Sequence, residues 1–69
     1  MLERYLVNKN AQSNGDHEVH VYTCGHLPNI ENRKYLGTFS NCSDAVVEAK
    51  KYDSEADGCY YCCNPCHTS

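Results

Sequence analysis

The residues of this chain best suited to chemistry are soft metal ligands. Four of its six cysteines fall in the run Cys59-Tyr60-Tyr61-Cys62-Cys63-Asn64-Pro65-Cys66, and His67 follows at once. Upstream, His20-Val21-Tyr22-Thr23-Cys24 offers an imidazole and a thiol separated by three residues. Zinc takes four thiolate and imidazole donors in a tetrahedron, and Cys-x2-Cys is the spacing at which one tight turn aims two sulfurs at a single ion. His20, Cys24, Cys59 and Cys62 are therefore the candidate zinc set: two ligand pairs that would clamp the chain shut across residues 25–58. The fourth position stays open at this level, because His17, His26, Cys63, Cys66 and His67 all compete with His20. What favours His20 is its spacing to Cys24.

The surplus thiols need their own reading. Cys63 and Cys66 make a second, overlapping Cys-x2-Cys, while vicinal Cys62 and Cys63 cannot both reach one ion comfortably, so one of them is expected to point elsewhere as a potentially reactive thiol. Cys42 reads as a small buried hydrophobe near a helix start. A four-cysteine iron site made from Cys59, Cys62, Cys63 and Cys66 is strained by the short spacer, which leaves Zn2+ as the expected cofactor. His17 and Glu18 could be imagined as an acid/base pair. No nucleophile, glycine-rich phosphate loop or carboxylate pair stands near them in sequence, and no enzymatic activity is expected.

Size explains why a staple is needed. At 69 residues and 7.8 kDa the chain is expected to be one domain spanning residues 1–69, and domains this small bury too little apolar surface to offset chain entropy comfortably. Hydrophobic residues make up 41%, but six are cysteines and six are tyrosines. The aliphatic and aromatic core candidates are Leu2, Leu6, Val7, Val19, Val21, Leu27, Ile30, Leu36, Phe39, Val46 and Val47. No stretch approaches the ~20 apolar residues of a membrane span, and the start carries no apolar run of signal-peptide length. A cytoplasmic location is expected, where disulfides are rare and thiols serve metals or stay free. The formal charge of −3 and six scattered Lys and Arg residues offer no basic face to exchange for condensed counterions, which argues against nucleic acid. The expected state is a monomer whose exposed face serves an unidentified protein partner.

The elements that must carry these ligands follow from local pattern. Residues 3–9 are rich in β-formers and read as a strand; Asn10 to Asp16 is a turn cluster centred on Asn14-Gly15. Residues 18–23 alternate, placing Val19 and Val21 on one face and His20 and Tyr22 on the other. Gly25 and Pro28 force the chain out of the strand. Residues 33–39 read as a third strand. Ser40 or Asn41 caps a helix over residues 44–51, with Val46, Val47 and a pairing of Ala45 with Ala49 on its inner side, and residues 52–58 form an acidic loop leading to the cysteines. The expected fold is α+β: a small three-stranded antiparallel sheet, one helix and a C-terminal cysteine knuckle.

Over roughly residues 18 to 66 this pattern resembles the zinc-binding domain of the Ada methyl-repair protein and related short bacterial modules. The matching features are His20-x3-Cys24, the Leu27-Pro28 and Asn32-Arg33 stretch, a strand, the Asn41-Cys42-Ser43-Asp44-Ala45 helix start and the closing Cys59-x2-Cys62. The resemblance implies an Ada-like fold with zinc held by those four ligands. In that family the first ligand is a cysteine that accepts a methyl group from a phosphotriester. Here the position is His20, which can hold zinc but does not reproduce a thiolate nucleophile, so methyl transfer is not implied. Tyr60, Tyr61 and the acidic approach loop stand where the family has basic residues. Two alternatives remain: a thiol redox or metal-handling protein using the surplus cysteines, and a nucleic-acid-binding zinc module.

Overall fold

The computed structural model describes residues 2–68 and has one α-helix packed on a four-stranded mixed sheet. Strand β1 (Glu3–Asn8) is central, between β3 (Arg33–Phe39) and β2 (His17–Val21), and β4 (Ala56–Gly58) lies outside β2. β1 runs antiparallel to both neighbours, whereas β4 is parallel to β2. The α+β class and single helix agree with the sequence pattern. The three-stranded antiparallel sheet does not: residues 56–58 of the supposed loop form a fourth, parallel strand.

Strand alternation sorts the side chains into two faces. Tyr5 pairs with Val21 and Val7 with Val19; this face carries the main core, joined by Ala45, Ala49, Ala56, Cys59 and Cys63. On the other face Leu6 stands opposite His20, and both are completely buried. β1 is thus covered on both sides, as its unbroken Tyr5-Leu6-Val7 run of buried residues requires. Between β1 and β3 the register shifts, so that Tyr5 faces Gly37 while Leu6 faces Tyr35 and Leu36 is passed over. Gly37 has a φ of +117°, a backbone state that a side chain would strain. The glycine that weakens β3 on propensity is what lets its bulge form.

Helix α1 spans Cys42–Ala49 and is capped by Asn41, whose side chain accepts the Asp44 N–H at 2.9 Å. Asn41 rather than Ser40 is the cap, and the helix begins two residues earlier than its charge pattern suggests. Its inner face is Ala45 and Ala49, both fully enclosed, while Val47 is exposed. Two alanines let the helix sit close on the sheet. Leu2 and Ile30, also core candidates from sequence, are exposed.

A disulfide joins Cys42, the first residue of α1, to Cys66. This corrects two expectations: Cys42 is half-buried and bonded rather than a buried free hydrophobe, and Cys66 is not a free thiol. The bond closes a sequence separation of 24 residues, which in the chain-entropy model stabilises the fold by about 3.5 kcal/mol. For a chain this short that is a substantial share of total stability.

Candidate metal centre

β4 is the element that makes the site. Its parallel register sets His17 opposite Ala56, Glu18 opposite Asp57 and Val19 opposite Gly58. The next residues in line are His20 and Cys59, and the Cys59 N–H continues the ladder by donating to the Val19 carbonyl at 2.9 Å. A strand of Ala, Asp and Gly has poor intrinsic β-preference, yet it carries the distant cysteine pair to the histidine. Gly58 must be a glycine for a further reason. A Cβ there would lie 2.7 Å from the Cys63 carbonyl oxygen and 2.7 Å from the Cys66 Cβ, so the knuckle could not fold down onto the strand.

The result is a cluster in which His20, Cys24, Cys59 and Cys62 each place one donor atom within 4.8 Å of the others. These are the four residues singled out by spacing. A group of this composition can hold a metal ion. Each of the three sulfurs accepts a backbone N–H at 3.4 Å: Cys24 from His26, Cys59 from Tyr61 and Cys62 from Val21. Two of these contacts close the tight turns that follow Cys24 and Cys59. The His20 Nδ1 faces the Cys62 sulfur at 3.9 Å. Its Nε2 is enclosed without a hydrogen-bond partner among the described residues, with the Glu18 carboxylate 3.6 Å away.

Burial dominates the electrostatics. It holds the His20 imidazole below its ordinary pKa, only partly opposed by Glu18, which favours the neutral ring that a metal ligand must be. Burial likewise pushes the Cys62 and Cys63 thiols upward. For Cys62, burial alone favours the neutral thiol, and a divalent cation would supply the charge that reverses this preference.

The competing ligands go elsewhere. His17 lies at the opposite end of β2, with Nδ1 3.0 Å from the Asn8 carbonyl and Nε2 2.7 Å from the Asp53 carboxylate; it helps line a cavity of about 260 Å³ with Val7, Lys9, Lys34 and Tyr52. His26 stacks on Tyr61 with ring centroids 3.8 Å apart. His67 turns its Nδ1 to the Gly58 carbonyl at 3.0 Å. Cys63 is buried in the core, its sulfur 3.8 Å from that of Cys62. Asp57, buried in β4, accepts from both the N–H and the hydroxyl of Thr68, and so ties the end of the described chain to the same strand.

No protein-family model, curated protein or solved structure matches the chain.

Proposed function

We propose that this protein is a small non-catalytic zinc-binding domain of Ada-like type, stabilised by the metal and serving as an interaction module. The observation that carries the reading is the set of three sulfurs, each accepting a main-chain N–H while converging with the His20 ring, whose Nδ1 faces the Cys62 sulfur. Amide donors aimed at sulfur stabilise a thiolate more than a thiol. Zn–S bonds of about 2.3 Å and Zn–N bonds of about 2.0–2.1 Å put tetrahedral donors roughly 3.4–3.8 Å apart. A cluster spread of 4.8 Å is therefore within a small adjustment of that geometry. Three sulfurs and one imidazole suit zinc better than harder cations.

His20, Cys24, Cys59 and Cys62 would hold the ion, with His20 binding through Nδ1 and the Glu18 carboxylate positioned to orient the other ring nitrogen. Because the two halves of the set meet only in the folded chain, the binding free energy of zinc becomes folding free energy. A closed four-ligand site keeps no position for water or substrate, which supports a structural rather than a catalytic role. His20 at the family's methyl-acceptor position supports the same reading. The exposed Tyr60 and Tyr61 rings flank the centre and would serve a protein partner. With a net charge of −3, duplex DNA binding is expected to be weak and salt-sensitive.

Native mass spectrometry before and after chelation tests this reading, with near-UV circular dichroism alongside. One zinc per chain, lost together with tertiary signal, is expected. A well-folded, metal-free protein indifferent to chelator would refute it. The Cys42–Cys66 bond favours the thiol-redox alternative as a second reading, which need not exclude zinc.

A further inference from the structure

The knuckle is one interlocked body. The Cys63 N–H donates to the Cys59 carbonyl at 2.9 Å, the Cys66 N–H to the Cys63 carbonyl at 2.8 Å and the His67 N–H to the Asn64 carbonyl at 3.1 Å. Cys59 and Cys62 at its start reach the metal-ligand cluster, and Cys66 near its end is bonded to the first residue of α1. Its close seat on Gly58 leaves little room for one end to move without the other. The same short segment is thus fastened on one side by ligands of β2 and the turn after it, and on the other by a covalent bond to the helix.

We propose that Cys42 and Cys66 form a reversible dithiol/disulfide site whose oxidation state sets the affinity of the four-donor centre for zinc. This rests on the zinc reading above. Both residues are half-buried rather than enclosed, so a small thiol can reach them. Reduction by a low-molecular-weight thiol of the glutathione class proceeds in two exchanges. The thiolate of the first RSH attacks the Cys66 sulfur, the S–S bond breaks, and the electron pair leaves with the Cys42 sulfur, which takes up a proton. The positive end of α1 favours negative charge on Cys42 as it departs. A second thiolate then attacks the mixed disulfide at the small-molecule sulfur, giving RSSR and the Cys66 thiol. The protein gains two electrons and two protons, and two RSH become one RSSR.

Once the bond is open, α1 no longer holds the far end of the knuckle, and zinc binding must order Cys59 and Cys62 without that help. Coupling is reciprocal: whatever factor the disulfide contributes to zinc affinity, zinc returns to the disulfide. An expected loss of about tenfold in zinc affinity on reduction lies within the usual range for coupled sites. For a two-electron couple it equals a reduction potential about 30 mV lower in the zinc-loaded protein.

The test uses the full chain loaded with zinc and equilibrated against glutathione redox buffers, with the states of Cys42 and Cys66 followed by mass-resolved alkylation. Zinc affinity is measured by competition with a chromogenic chelator for the disulfide form and for the Cys42→Ser/Cys66→Ser double variant. About tenfold weaker binding by the variant, with the matching shift of midpoint between loaded and stripped wild type, is expected. Equal affinities with one zinc in each form would overturn the coupling and leave the zinc centre standing. Absence of zinc from both forms would overturn the zinc reading and the coupling with it. Should the double variant fail to fold, the wild-type midpoints decide alone, and identical values with and without zinc refute the proposal. So does Cys42 and Cys66 staying alkylatable at every buffer ratio.

Discussion

The two ends of β2 treat the same side chain in opposite ways. At one end His17 has both ring nitrogens engaged, by the Asn8 carbonyl and the Asp53 carboxylate. At the other end His20 is completely buried, with one nitrogen turned to a cysteine sulfur and the other lacking a hydrogen-bond partner among the described residues. Enclosing an imidazole without satisfying it costs free energy, and a fold keeps such a group when something else repays the cost. What separates a candidate ligand from a latch is therefore what the fold leaves at its nitrogens, not the residue type.

The comparison breaks most sharply at the sulfurs on the His20 side. Cys59→Ser or Cys62→Ser is expected to abolish zinc binding and the tertiary fold together, since each removes one of four bonds in a chain with a small core. Metal content and near-UV circular dichroism of the purified variants check this. Either variant retaining both would mean that the cluster is not what holds the knuckle.

Next in size is the histidine itself. His20→Ala removes a ligand, so zinc affinity should fall by more than the ~100-fold upper range seen when an outer-shell partner is lost. His17→Ala, His26→Ala and His67→Ala should each change it little, because none of these rings is in the four-donor cluster and each is engaged by another group: His17 by Asn8 and Asp53, His26 by Tyr61 and His67 by Gly58. Chelator competition ranks the four variants, and a larger loss for His67→Ala would move the fourth ligand there. Glu18→Gln sharpens the same end. Replacing the carboxylate 3.6 Å from the His20 Nε2 should weaken zinc binding by about tenfold with little change in fold, and an unchanged affinity would remove Glu18 from the centre.

The cysteine and histidine spacings carried the identities of the clustered residues, because metal geometry is local and leaves a short-range trace. The first three strands were legible from β-rich patterns, and the helix from its cap and charges. The Ala56–Gly58 strand was not. Its three residues have little strand preference of their own, and its pairing with β2 depends on contacts some 40 positions away. Cys42–Cys66 was hidden for the same reason: Cys42 has no nearby cysteine to mark it, and only the fold of the knuckle against the helix brings the two together. The inner pair Ala45 and Ala49 was legible from helical phase, whereas Val47 was misplaced because apolar character outweighed that phase.

The smallest effect on metal should come from the latch, and it completes the comparison. His17 ties three segments at the end of β2: its own strand, the end of β1 through Asn8 and the turn after α1 through Asp53. The contact with Asp53 is only part-buried, so solvent screening limits its worth. Losing these two partly exposed polar contacts costs roughly 1–2 kcal/mol in total. His17→Ala should therefore lower the unfolding free energy of the zinc-loaded protein by about that much, while zinc stoichiometry and affinity stay at wild-type values. Thermal or denaturant unfolding gives the first quantity and chelator competition the second. A stability loss without a change in affinity keeps the two ends of β2 distinct. A parallel fall in zinc affinity would mean that the strand transmits strain from His17 to His20, and the division into latch and ligand would fail.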